Sequence, residues 1–218
     1  MKNFNIKKGF SIPEVIIAIT IVILIIVTAT NLLVSSTRAN RSNINQIIAY
    51  NLAQEAVEGV RNIRDSYWLH NLYWRGEENL LGDHFDLGEG YYIIEKQHNY
   101  FNPDSCNNTS DFLNDIKTVK NAAPWILTEI NGPDDSRTAL YETPFDDVIN
   151  YTHETSEGEE SIFKRWIEIQ TIPFESSAGE VRDDLKIAVT AVVAWREQSR
   201  TKTLRLPTVL TDWKAGPL

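Results

Sequence analysis

The 218 residues carry a formal charge of −9, with 42% hydrophobic and 23% charged residues, enough apolar chain for one sizeable core. The balance deepens to −12 once Lys2, Lys7 and Lys8, the three lysines of the acid-free first nine residues, are set aside. Such a body repels phosphate backbones and argues against a nucleic-acid partner. Cys106 is the only cysteine, so no disulfide can form within the chain, and cysteine usage leaves the redox compartment open.

The N-terminus reads "KKGFSIPEVIIAITIVILIIV" over residues 7 to 27. From Phe10 to Val34 the only charge is Glu14, and those 25 residues would make a helix roughly 37 Å long, enough for a bilayer core of about 30 Å. A cleaved secretory signal would have a shorter apolar stretch and a small-residue site after it; here the stretch runs on without an Ala-x-Ala motif. A membrane anchor fits better, with Lys2, Lys7 and Lys8 holding the N-terminus on the cytoplasmic side and Arg38 and Arg41 slightly weakening that bias. Glu14 is the feature a plain anchor leaves unexplained. A carboxylate inside an apolar segment costs on the order of 2 to 4 kcal/mol unless it is paired or interfacial. The ordinary account is an acid at a helix start, which Pro13 and the helix dipole both suit.

Lys7-Lys8-Gly9-Phe10-Ser11-Ile12-Pro13-Glu14 followed by an aliphatic run resembles the class III signal of type IV pilins and pseudopilins. The resemblance implies cleavage after Gly9 by a prepilin peptidase, N-methylation of Phe10 as first mature residue, and Glu14 as the assembly acid. Pro13 is a less usual neighbour for that acid but leaves the pattern intact. Cleavage ahead of the apolar run would strand an ammonium at Phe10 in apolar surroundings, where Glu14 of an adjoining subunit can neutralise it.

Beyond Val34 the pattern becomes amphipathic. Ile44, Ile48, Leu52, Ala56, Val60 and Ile63 form a stripe at helical spacing, so Pro13 to about Asp65 reads as one helix, with Asn31 and Gly59 as soft points. The aromatic group Tyr67, Trp68, Tyr73 and Trp74 marks its end. Residues 51 to 65, "NLAQEAVEGVRNIRD", also resemble the corresponding helix of PilV- and GspI-type minor pilins and pseudopilins. Downstream, residues 91 to 96 predict a strand, and residues 97 to 160, rich in Asn, Asp, Ser and Thr, read as a polar excursion with a short helix at 111 to 120. Alternation at Arg165 to Thr171 and Lys186 to Arg196 predicts two strands, with Trp166 and Trp195 as core. Thr201 to Leu210 predicts a third, at an edge because Pro207 lacks a donor.

No catalytic or cofactor motif occurs: neither a Gly-rich phosphate loop nor a G-x-S-x-G elbow nor HExxH. The histidines at 70, 84, 98 and 153 lack ligand spacing, and the oxygen-rich residues 102 to 111 lack an EF-hand glycine and terminal glutamate. The expectation is a non-enzymatic chain with no catalytic, metal or cofactor residues.

The expected fold is therefore α+β: a long N-terminal helix packed on a C-terminal antiparallel sheet of about four strands, as in pilins. The expected segments are a basic leader (1–9), a transmembrane or filament-core helix (10–34), an amphipathic helix (35–65) and an extracytoplasmic globular domain (66–218). That domain would hold the excursion 97–160 and a sheet over 164–210. The resemblance implies a structural subunit, a minor pilin, assembled through Phe10 and Glu14 after processing at Gly9 and Phe10, with Lys7 and Lys8 as leader charge. Its partners would be other pilin subunits, prepilin peptidase, the cytoplasmic membrane and an inner-membrane assembly platform, before display on a surface filament. A type II secretion pseudopilin is the alternative within the family, and an uncleaved membrane-anchored binding or sensor protein the alternative outside it.

Overall fold

The computed structural model describes residues 11–69, 74, 87–96, 124–145, 148–155, 158–175, 181–182, 186–197 and 199–212. The chain divides into two units, Met1–Asn45 and Gln46–Leu218. A single helix, α1 (Ile12–Leu69), contributes to both. It begins where the Ser11 carbonyl accepts the backbone N–H groups of Glu14 (3.0 Å) and Val15 (3.2 Å). Pro13 falls in the first turn, where a missing N–H has no intrahelical partner to lose.

In the second unit the buried face of α1 comprises Ala49, Leu52, Ala53, Ala56, Val57, Gly59, Val60, Ile63, Ser66, Tyr67 and Trp68. The stripe read from the sequence is therefore buried from Leu52 onward, with Ile48 partly buried and Ile44 exposed. The helix runs one turn beyond Asp65, because Tyr67 and Trp68 are themselves core residues and the Arg64 guanidinium lies 4.7 Å from the centre of the Trp68 ring. Gly59 is a contact point and not a break. A Cβ there would lie 2.5 Å from Ile94 Cδ1 and 3.1 Å from the Trp125 ring, so its lack of a side chain lets a hairpin approach the helix.

That helix face packs on a seven-stranded antiparallel sheet: β1 (Gly90–Lys96), β2 (Trp125–Ile130), β3 (Ala139–Phe145), β4 (Val148–Thr152), β5 (Glu159–Thr171), β8 (Lys186–Glu197) and β9 (Arg200–Thr211). A short 3-10 turn (Ser136–Thr138) precedes β3, and β6 (Phe174–Glu175) pairs with β7 (Val181–Arg182) apart from the main sheet. The long strand β5 is the hub. One edge pairs with β8 from Phe163 to Thr171, while the other is shared: β3 pairs at Glu159 to Lys164 and β1 at Ile167 to Ile169. The sheet therefore forks beside Arg165 and Trp166. Side chains alternate across it, so Phe163, Ile167, Ile169, Val189, Ala191, Val193 and Trp195 join the helix-facing core, and Trp166 joins Ile93, Ile130, Val192 and Ala194 in a cluster on the other face.

The α+β expectation holds, with seven strands where about four were expected. The three added strands, β2, β3 and β4, come from residues 125 to 152, inside the stretch read as a polar excursion, and β5 begins at Glu159, before the expected sheet start at 164. Each of the three is at most seven residues long and none is buried along its length, so none carries a strong apolar period. The expected strands at 91–96, 165–171, 186–196 and 201–210 are β1, β5, β8 and β9. Among the described residues β9 pairs with β8 alone, the edge position that Pro207 implies. The short helix expected at 111 to 120 lies outside the described residues.

Candidate functional site

The first unit presents the apolar part of α1. Of the residues singled out for processing and assembly, Lys7, Lys8, Gly9 and Phe10 lie outside the described residues, and Glu14 stands exposed in the first helical turn. From Val15 to Val34 the large aliphatic side chains point outward all round, between 40% and 72% exposed, and no residue of the most apolar 18-residue window is buried. This is one helix long and apolar enough to cross a membrane.

The composition of that helix explains its suitability for an apolar medium. It is dominated by Ile, Val and Thr, residues that lose rotamer freedom in a helix, so propensity in water is a weak reason for it to form. In lipid or against sister helices the backbone must satisfy itself, which leaves a helix as the available answer. The threonine hydroxyls are satisfied in the same way. Thr20 donates to the Ile16 carbonyl (2.8 Å), Thr28 to Leu24 (3.0 Å) and Ile25 (2.9 Å), Thr30 to Ile26 (2.8 Å), and Thr37 to Val34 (2.9 Å). No hydroxyl of these threonines needs water. Glu14 is then the single acid of the described first unit, set at the end of an uncharged run.

The second unit contains a cleft of about 1130 Å³ where the sheet forks. One wall is β1 and β2 through Ile94, Glu95 and Trp125, the other is Tyr151 of β4 with His153 just after it, and α1 closes it with Leu52 and Glu55. Arg165 lies at the fork with 2% of its side chain exposed. It donates to Glu55 Oε2 (2.9 Å), to the Ile94 carbonyl (3.1 Å) and to the Leu52 carbonyl (3.4 Å). Burial pushes the guanidinium below its ordinary pKa, and Glu55 opposes that shift. The Arg165 side chain thus satisfies an Ile94 carbonyl at the level where β1 has parted from β5.

His153, just past β4, has Nδ1 2.9 Å from the Arg137 carbonyl and 3.1 Å from the Ala139 carbonyl. Both partners are acceptors, so Nδ1 carries a proton, and in the neutral ring Nε2 carries none. Burial, with the Arg165 charge second, lowers the His153 pKa to about 3. Its Nε2 and the Arg165 Nε are sealed from solvent, without hydrogen-bond partners among the described residues. Sealed in this way, His153 and Arg165 link β3, β4, β5 and α1.

One usable signal for this constellation stands in the sequence, a lone cation at Arg165 on the face that carries Phe163, Ile167 and Ile169. Glu55, with which it pairs, and His153, whose pKa its charge lowers, are 110 and 12 residues away, and no local period connects them. Among the described residues no group of three or more His, Cys, Asp or Glu could hold a metal ion. Residues 102 to 111 lie outside the described residues.

No family model, curated protein or solved structure matches this chain. Fold and chemistry therefore carry the functional reading.

Proposed function

We propose that the chain is a structural subunit of a type IV pilus-like filament, a minor pilin, cut after Gly9, methylated at Phe10 and assembled through α1. The observation that carries this reading is a helix exposing aliphatic side chains all round from Val15 to Val34, with one carboxylate, Glu14, at its first turn. A surface of that kind needs lipid or other copies of itself. Moving from lipid to a helix bundle exchanges one apolar environment for another, so packing and polar pairing decide the outcome. Cleavage ahead of Phe10 creates a new ammonium, and Glu14 of a neighbour is its counter-charge.

A buried pair of this kind contributes register more than raw stability, since leaving either charge alone costs several kcal/mol. Before extraction the subunit would sit in the cytoplasmic membrane with its second unit outside, as the Lys2, Lys7 and Lys8 cluster directs. The test is Glu14→Ala. Processing should continue, because the cut falls five residues away, while incorporation into filaments should fall at least tenfold in a sheared-fibre immunoblot. Filament incorporation equal to that of the parent chain would refute the pairing role. The pseudopilin of a type II secretion fibre would share each of these properties, and the two differ in the machinery with which the subunit copurifies.

A further inference from the structure

We infer that Arg38 and Arg41 form a phosphate-binding pair that docks the helix on the outer-leaflet phospholipid headgroups, an inference that rests on reading α1 as a membrane-spanning helix. Residues 15 to 37 contain no charge. Those 23 residues rise roughly 35 Å along a helix, which sets Arg38 just outside a hydrocarbon core of about 30 Å when Glu14 is at the inner boundary. Both arginines are exposed, and among the described residues neither has an ion-pair or hydrogen-bond partner.

Along α1 no described acid stands near them. Glu14 is the only acid among the described residues of the first unit, and the next acid along α1 is Glu55, fourteen residues past Arg41. That is about 21 Å along the helix axis, beyond a Debye length of about 8 Å at physiological salt. Being three apart, Arg38 and Arg41 share a helix face, with Cβ atoms about 5–6 Å apart. Their planar guanidinium groups suit phosphate oxygens in a fork geometry, and their long stems can follow the apolar surface while the heads reach the interface.

The pair also takes over a task when the leader is removed. Once residues 1 to 9 are gone, the lysines that fixed the inner end are lost, and Arg38 and Arg41 are the only cationic side chains between residues 10 and 60. Their hold on phosphate then sets how deep the helix rides, and drawing the subunit out of the bilayer breaks that hold.

The test is lipid selectivity by electron spin resonance, with the full chain reconstituted in phosphatidylcholine bilayers containing spin-labelled phosphatidylglycerol or spin-labelled phosphatidylcholine. Because the leader lysines attract anionic lipid too, the reference is the K2Q/K7Q/K8Q chain, to which R38Q/R41Q is added. The reference should immobilise phosphatidylglycerol in preference to phosphatidylcholine, by up to roughly fivefold per arginine. The preference should vanish with R38Q/R41Q while the total of immobilised lipid stays the same, and should weaken in about 1 M salt. Immobilised lipid without any preference in the reference chain would overturn the inference and leave the spanning helix standing. No immobilised lipid at all would overturn the spanning helix and the inference together. Loss of the preference on adding inorganic phosphate would assign the pair to free phosphate and overturn its assignment to lipid, and loss of chemical cross-linking between copies in R38Q/R41Q, with no lipid preference to lose, would assign it to an acid of a second copy.

Discussion

Replacing Glu55 by alanine should destabilise the second unit more than replacing Arg165 by methionine, although Glu55 is the more exposed partner. The Arg165 side chain is 2% exposed and Glu55 is 44% exposed. In Glu55→Ala the guanidinium keeps the neutral carbonyls of Leu52 and Ile94 as hydrogen-bond partners and the attraction of the Glu95 carboxylate, and remains charged while buried. Breaking a buried pair from one side costs about 3–5 kcal/mol. Water entering the space left by the half-exposed glutamate brings this to about 2–3 kcal/mol. In Arg165→Met the charge itself is gone, the stem volume is retained, and Glu55 is free to hydrate; what remains is the loss of bonds to two carbonyls, about 1–2 kcal/mol. The double variant should then resemble Arg165→Met alone, a strongly non-additive cycle. The assay is urea unfolding of the full chain in detergent, followed by tryptophan fluorescence. Because Trp68, Trp74, Trp166 and Trp195 are all buried, the signal reports the core. A Glu55→Ala cost below about 0.5 kcal/mol, or an Arg165→Met cost above that of Glu55→Ala, would refute the reasoning that the fork depends on a compensated buried charge.

His153 supplies a pH prediction. Its pKa is lowered from 6.5 to about 3 in the folded chain, so its contribution is fully present above pH 6.5 and is lost as pH falls from 6.5 toward 3, up to about 5 kcal/mol in total. His153→Gln should flatten the stability profile across that window relative to the parent, and parallel profiles would show that His153 is not buried neutral. Asp135, held below the usual carboxylate range by Arg137, also loses stabilisation in acid, but equally in both chains. Gly59→Leu should cost about 1–3 kcal/mol by overpacking, because the added carbons meet Ile94 and Trp125; Gly59→Ala should cost less, its gain in helix propensity of about 1 kcal/mol offsetting part of the clash. Thermal unfolding checks the pair, and a leucine variant no less stable than the alanine variant would contradict that packing.

The parts of the fold legible in the sequence are those whose burial is strongly periodic. The stripe Leu52, Ala56, Val60, Ile63 and the alternation along β5 and β8 each repeat over several turns or residue pairs, because each element meets the core along much of its length. The strands β3 and β4 are hidden by a different cause. They pair from Tyr141 with Thr152 to Phe145 with Val148, separated in sequence only by Asp146 and Asp147, and most of their described side chains are partly or wholly exposed, so their composition is that of a loop. β2 shows in the sequence only as a short apolar piece because four of its six residues, Trp125 to Thr128, are half-buried and follow no alternation. Along the apolar part of α1 the sequence is informative throughout, since exposure there is a matter of composition alone. At the fork it is not, because Arg165, Glu55 and His153 meet through tertiary structure.

The central claim is that the apolar helix stays in the finished molecule with Phe10 as its free, methylated end and Glu14 beside it. Mass spectrometry of the N-terminal peptide from membrane-extracted protein tests this most directly. The account predicts a chain starting at N-methyl-Phe10, and a chain retaining Met1 to Gly9, or one lacking residues 10 to 34, would contradict it.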